Sequence, residues 1–525
     1  MYELNPVSKQ DSDAKYHVLL LVAHEPQRDP RLNWIASGGR ENFIIHQLGI
    51  SRVANDKPSA SGSDDKGWVW SYPRIETSRN LGVIRENIFS RNNSAALLEL
   101  SSLMAILSLD DGELLAILGC ENLGRMVAFR WYVKYLLQMT YSLVDHAEEL
   151  SGICAVIATD LDTLLAGMVL KERWGVPLIY DAHEFWPAAD VEQEAFEHDF
   201  WVTLEGRLVR HVDYAQTVSP GLADHMARLY GVPFESVPNA EPLGSRVAED
   251  QEKTRREHTG TECRFLFQGG FANARGIDLL ISAWPHTHPS AILVLRGPDN
   301  EYKKKMVDLA ISLGLYAIRV LFLEAIDETE LVTAAAEFDV GLVPYTPTGL
   351  NYSNCCPNKI SQYMAAGLPI LASRTSYVSQ IISESGAGVV VDFADRFQLV
   401  REIDRLALDP ALRMAYAERS AAFFLERFHW ENVSKIFYTR LAELIKSANI
   451  SSLGKLSRHG KPNVFPEIVV EEPPVIEELP VIEEPPVPAR SRFSKTSFRF
   501  ARWLWILVPV ALRARIRAEL QLWIR

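Results

Sequence analysis

The sequence predicts an α/β protein with two doubly wound, Rossmann-like parallel sheets. Three observations predict it. Short apolar runs alternate with helical segments, the alternation falls into two blocks, and polar or glycine-bearing loops follow the apolar runs directly, where such sheets bind ligands. At 525 residues the chain exceeds one hydrophobic core, and a prior of roughly 150 residues per domain gives about three units.

A polar N-terminal tail occupies residues 1–15 and lacks an apolar core of signal-peptide length. The first Rossmann-like unit is expected over residues 16–258. It opens on the buried-strand run from Tyr16 to Ala23 and continues through a mostly helical stretch from Ser94 to Glu149, rich in Leu, Met and aromatics. Within that region, Lys134, Asp145 and His146 interrupt the apolar surface of the 129–150 segment, so it reads as a packed surface helix rather than a membrane-contacting one. Strands follow at 155–158 and 177–180, separated by a helical run from Asp162 to Trp174. Val237-Pro238-Asn239-Ala240 and the charged stretch to Glu262 read as the interdomain linker. The second unit, residues 259–428, repeats the pattern with strands at 264–267, 291–295, 320–322, 340–343 and 369–372. A crossover helix over residues 429–448 starts near Trp430-Glu431-Asn432.

Residues 449–489 form a Pro/Glu-rich linker with near-repeats of Val-Ile-Glu-Glu-Pro-Pro, a composition that buries no core and stays extended and disordered. The basic tail, residues 490–525, follows. Its apolar run from Trp503 to Leu512 is ten residues long and contains Pro509, half of the roughly 20 residues that span a bilayer as a helix. Beyond it, Leu512, Ile516, Leu520, Trp523 and Ile524 form one apolar face with Arg513, Arg515 and Arg517 largely off it. Such an amphipathic helix fits an anionic membrane surface; docking on a partner protein is the other reading.

Charge supports that division. Nine Arg/Lys against one Glu give residues 490–525 a net of +8, so the −13 of the whole chain leaves −21 on residues 1–489. An acidic body argues against nucleic-acid binding. The five cysteines, Cys120, Cys154, Cys263, Cys355 and Cys356, are odd in number and lack metal-ligand spacing, which fits a reducing compartment and a cytoplasmic protein.

Three segments carry chemistry. Pro357-Asn358-Lys359 opens a short helix closed by Gly367 and followed by an apolar strand. Its unpaired first-turn N–H groups and Lys359 make an anion site. Gln268-Gly269-Gly270 opens the second block directly after a strand, with a cation, Arg275, six residues after Gly269. The glycines let backbone approach a pyrophosphate. His183 lies just past a predicted strand end, flanked by Asp181 and Glu184, either of which can cap a helix. Asp160-x-Asp162 matches a metal-binding spacing superficially but reads as a strand end whose aspartate caps the next helix; no metal is expected.

Taken together, these segments resemble family 4 glycosyltransferases of GT-B architecture, and the resemblance extends over about residues 16–448. Asp29-Pro30-Arg31-Leu32 is similar to the loop after the family's first strand. Asp160 to Leu164 and Tyr180 to Glu184 match two further strand-end loops, and Thr217-Val218-Ser219 and Val237 to Ala240 match the end of the acceptor domain. The resemblance implies two Rossmann-like domains facing a cleft, the first holding a saccharide or lipid-linked acceptor and the second a nucleoside-diphosphate sugar, with retention of anomeric configuration and no cofactor. It implies that His183 reaches the donor sugar, that Arg275 neutralises the leaving diphosphate, and that Gly269, Gly270, Asn354, Asn358, Lys359 and Gln362 line the donor site. Asp29, Arg31, Asp181 and Glu184 are placed on the acceptor-side loops. The sequence departs from the family in three places. Gly270 stands where an Arg is usual, and Asn354 and Gln362 stand where two glutamates are usual. Gln362 is expected to meet ribose hydroxyls through its carbonyl oxygen, and Asn354 or Asn351 to meet the sugar. A non-catalytic scaffold of a polysaccharide-assembly complex and a sugar-nucleotide epimerase are the rival readings. A cytoplasmic enzyme, peripheral at the inner face of the cell membrane, is the expectation.

Overall fold

The computed structural model describes residues 15–51, 57–74, 123–189, 195–247 and 262–452. The expectations for the polar N-terminal tail, the helical stretch before residue 123, the charged part of the interdomain linker, the Pro/Glu-rich spacer beyond residue 452 and the basic tail lie outside these residues.

The first sheet contains β1 (Tyr16–Val22), β2 (Phe43–Ser51), β3 (Ser59–Ser63), β4 (Gly67–Pro73), β5 (Ala155–Thr159), β6 (Leu178–Ala182), β7 (Tyr214–Thr217) and β8 (Glu235–Ser236). Their order is β3-β4-β2-β1-β5-β6-β7-β8, parallel throughout except for the β3–β4 hairpin. β1, β5 and β6 are nearly continuous apolar runs because helices cover both faces. The second sheet contains β9 (Cys263–Gln268), β10 (Ala291–Arg296), β11 (Val320–Leu323), β12 (Val340–Val343), β13 (Ile370–Ser373) and β14 (Gly388–Val391), all parallel, in the order β11-β10-β9-β12-β13-β14. Strand order reverses between β1 and β5 in one sheet and between β9 and β12 in the other. The loops at the carboxyl ends of those strands line the crevices in which such sheets hold ligands.

β2 is a central strand that local pattern does not announce, since His46, Gln47 and Gly49 break its apolar run. Tertiary contacts satisfy them. The Trp68 N–H donates to His46 Nδ1 at 3.1 Å, so His46 Nε2 carries the proton and donates to His17 Nδ1 at 2.9 Å. Burial pushes the His46 pKa down to about 3, which keeps the stacked pair neutral.

After the second sheet the chain returns to the first. The helix Trp430–Val433 is followed by Lys435–Ser452, whose Phe437, Leu441 and Ile445 fall at i, i+4 and i+8 and complete the core beside Val18, Leu20 and Ile157. Trp430 is fully buried: it packs on Trp34 at 5.9 Å, lies under the Arg31 guanidinium at 5.4 Å and donates from Nε1 to the Tyr438 hydroxyl at 3.1 Å. Trp430→Ala is expected to cost about 3–5 kcal/mol, read as a lowered urea midpoint. Among the described residues no helix is long and apolar enough to cross a membrane.

Candidate functional site

In the second sheet, the loop after β9 begins at Gly269, whose φ of 132° is open chiefly to glycine. A Cβ there would lie 3.5 Å from Lys359 Nζ, so the ammonium faces the open side of this glycine. The loop ends at Gly276 (φ 60°), where a Cβ would lie 2.0 Å from the carbonyl oxygen of Pro344, the residue directly after β12. This close approach ties the Arg275 loop to the neighbouring strand end. Gly276→Ala is expected to displace Arg275, weakening nucleotide binding in calorimetry by roughly tenfold or more, since a hydrogen bond to a charged group contributes about 1.5–3 kcal/mol.

Lys359 sits in the first turn of the helix Asn358–Ala365 and is buried. One turn later, Tyr363 lies against Gly341 of β12, donates to the Leu266 carbonyl at 3.0 Å and accepts from the Gln268 N–H at 3.2 Å, which fixes the helix over the β9–β12 reversal. Arg275 Nη1 and Lys359 Nζ both donate to the Tyr345 hydroxyl at 2.9 Å, and both cations face its ring, at 5.2 and 4.7 Å. No carboxylate pairs with either cation among the described residues. Burial, and then the nearby Arg275, push the Lys359 pKa well down, and Arg275 Nε is a buried donor with no acceptor. The cluster is a positive pocket at strand carboxyl ends, suited to an anion with several oxygens.

In the first sheet, the loop after β6 brings His183 among three carboxylates. Nε2 is 3.3 Å from Asp181 Oδ2; Nδ1 is 3.7 Å from Asp29 and 3.8 Å from Asp160, beyond hydrogen-bond reach. Burial disfavours the charged ring, but Asp160, Asp181 and Asp29 together outweigh it and raise the His183 pKa to about 9. At neutral pH the ring is therefore a cation with its Nδ1–H free to donate. Asp181 is fully buried. Burial alone would raise its pKa, yet Arg31 and His183 reverse this and hold it well below the usual carboxylate range. It accepts from Arg31 Nη2 (2.7 Å), Arg31 Nε (2.9 Å) and Gln216 Nε2 (2.9 Å) in addition to His183.

The structure changes several of the expectations. Asp160 does not cap its helix: Thr159 is the N-cap, Asp160 is the first helical residue with a strained φ of 57°, and its carboxylate instead accepts the His183 N–H at 2.8 Å. Arg31 and Asp181 lie beneath the acceptor-side loop, committed to each other, and Arg31 Nη1 also donates to the Val237 carbonyl and Asn239 Oδ1, both at 2.9 Å. Asp29 caps the helix Pro30–Gly38 by accepting the Arg31 N–H. Glu184 caps nothing among the described residues, where no hydrogen bond holds its carboxyl, and burial followed by Asp160 raises its pKa to about 7. The Gln362 carbonyl oxygen, expected to face ribose, accepts from Gln268 Nε2 at 2.9 Å, and the Gln362 side chain also hydrogen-bonds the Glu241 carboxyl. Asn354 is turned toward Gly221 and donates to its own helix at Leu350. Asn351 instead brackets the backbone of Phe185, accepting its N–H and donating to its carbonyl, each at 2.9 Å. Gly270 faces open space, with no cation in place of the usual Arg.

The two halves of the site meet. Besides the Asn351–Phe185 bracket, which links the His183 loop to the segment leading into Lys359, Asn239 Nδ2 donates to the Cys356 carbonyl at 3.0 Å and the Glu241 N–H to Ser361 Oγ at 3.0 Å. Neither Tyr345 nor Glu241 stood out in the sequence, and Gln268 stood there only as the opening residue of the glycine segment. The signal for Tyr345 was its place directly after the apolar run of β12, the rule already applied to His183.

Two family models match in chain order: a glycosyl transferase 4-like domain over residues 119–240 and glycosyl transferases group 1 over residues 262–409, together about half of the chain. Among similar proteins, a D-inositol 3-phosphate glycosyltransferase of Acidothermus cellulolyticus is 27% identical over 285 residues, 51% of this chain and 62% of that protein. The lipopolysaccharide core biosynthesis glycosyltransferase LpsE of Rhizobium meliloti is 26% identical over 234 residues, 44% of this chain and 65% of that protein. The alignments thus span less than two thirds of these curated relatives. Among solved structures, sucrose-phosphate synthase from Thermosynechococcus elongatus superposes with a TM-score of 0.60 at 14% identity, covering 83% of this chain and all of that one. HepE of Anabaena in complex with UDP gives 0.54 at 14% identity, covering 82% and all. The fold is GT-B. The two matched segments run through both sheets and contain the cation pocket at one strand reversal and the His183 loop at the other, so the chain belongs to the group 1 glycosyltransferases.

Proposed function

We propose that this protein transfers a sugar from a nucleoside-diphosphate sugar to a saccharide or lipid-linked saccharide, with retention of anomeric configuration. The observation that carries the reading is the pair of cations, Arg275 and Lys359, beside a glycine loop, with no carboxylate among the described residues to neutralise them. A diphosphate completes such a pocket, and the pocket stabilises the charge that builds as the bond from the sugar to the phosphate oxygen breaks. The acceptor hydroxyl oxygen bonds to the anomeric carbon on the face that the diphosphate leaves, the electron pair departs with the diphosphate, and the hydroxyl proton passes to a phosphate oxygen. His183, a cation with a free Nδ1–H, donates to a sugar hydroxyl from the opposite wall. Asp29, Glu184 and Asp160 surround that wall. The positive charge that a metal would supply comes here from side chains, and we propose a metal-independent reaction.

HepE is a structural neighbour whose complexes contain UDP and UDP-glucose, which supports offering uridine donors first. The lipid-linked acceptor and the place of action, the inner face of the membrane, rest on the basic tail at residues 490–525, read from sequence. The test offers purified full-length protein UDP- and GDP-sugars with membrane extract and measures nucleoside diphosphate release. Acceptor-dependent release is the expected result. Tight nucleotide binding without release supports the non-catalytic scaffold instead, and conversion of the donor without acceptor supports an epimerase.

A further inference from the structure

We propose that the Tyr345 hydroxyl is a third hydrogen-bond donor to the diphosphate, oriented for that task by Arg275 and Lys359. The inference rests on the donor-site reading above. A count of donors and acceptors leads to it. A guanidinium and an ammonium carry donors only, so with both side chains charged the phenolic oxygen accepts in both 2.9 Å contacts. Its single O–H is then left to point away from both cations, and among the described residues it has no acceptor. Arg275 Nε–H is a second donor without an acceptor. Burial raises the Tyr345 pKa to about 12, so the phenol keeps its proton at neutral pH. Among the described residues the two cations have no carboxylate, and a hydroxyl proton and a guanidinium N–H have no acceptor; the group that answers them has several acceptor oxygens and negative charge. The ring is firmly placed. It directly follows Pro344, on which Gly276 closes, and it is 6% exposed with both cations against its face.

The experiment compares UDP, GDP and ADP, and the matching nucleosides, by calorimetry on the full chain and on Tyr345→Phe, which keeps the ring beneath both cations and removes the hydroxyl with the two hydrogen bonds it accepts. The diphosphate that binds the unaltered chain is expected to lose roughly tenfold or more in affinity, with nucleoside affinity unchanged. A hydroxyl that only oriented Arg275 would add nothing once that side chain is gone. Tyr345→Phe combined with Arg275→Gln is therefore expected to bind more weakly than Arg275→Gln alone. Equal affinities for that double variant and Arg275→Gln alone overturn the direct contact. So does undiminished diphosphate binding by Tyr345→Phe when Lys359→Met has lost it, a result that leaves the donor site itself standing. Failure of the unaltered chain to bind any of the three diphosphates overturns both.

Discussion

Replacing Lys359 with methionine is expected to lower turnover by about 10²–10³, the range for removing one preorganised stabiliser of developing negative charge, while raising the melting midpoint of the ligand-free protein. The opposite signs follow from one fact. Lys359 is 5% exposed, its ammonium hydrogen-bonds a neutral phenol and lies over the Phe267 ring, among the described residues no carboxylate pairs with it, and Arg275 repels it. Folding therefore buries a cation without a counter-charge, which is unfavourable, and methionine fills a similar volume without that cost. Function and stability pull apart in this way where a site is built for a ligand rather than for the resting fold. Steady-state rates and thermal melts on the same preparation check the prediction. A variant that melts lower yet turns over normally would assign Lys359 a structural role.

Arg31→Ala is expected to destabilise the fold by about 3–5 kcal/mol, because it strips a fully buried carboxylate of its guanidinium partner. Asp181 is fully buried and takes two hydrogen bonds from Arg31, whose remaining contacts reach Val237, Asn239 and the ring of Trp430. Arg31 thus links the start of the chain, β6, the end of the first lobe and the returning helix. Its loss also frees Asp181, the anchor for His183 Nε2. Chemical unfolding of Arg31→Ala, Asp181→Ala and the double variant measures the coupling. The double variant is expected to lose less than the sum of the single variants. Simple additivity would show that the pair contributes no net interaction.

What the sequence disclosed and what it hid divide along physical lines. β1, β5, β6, β9 and β13 are legible because a strand covered on both faces must be apolar along its whole length. β2 was hidden because His46 and Gln47 look like loop residues until His17 and Trp68 are brought beside them. The glycine loop and the Pro357-Asn358-Lys359 helix start were visible because their chemistry is local. Tyr345 was not, since its meaning comes from β12 lying next to β9, a pairing across some 70 residues. Asp160 shows the limit of a local rule: a carboxylate at a helix start ordinarily caps it, but here a backbone N–H 23 residues away takes that carboxylate. The amides at 354 and 362 were legible as departures. Only the structure shows Gln362 held between Gln268 and Glu241, an arrangement in which a carboxyl from the linker stands beside the substituted position.

A crystal structure of the full chain with a bound nucleoside diphosphate tests the central claim most directly. The account predicts phosphate oxygens within hydrogen-bond distance of Arg275 and Lys359, against the Gly269 backbone and facing the His183 loop. A diphosphate seated elsewhere, with those two cations still turned only toward Tyr345, would contradict it.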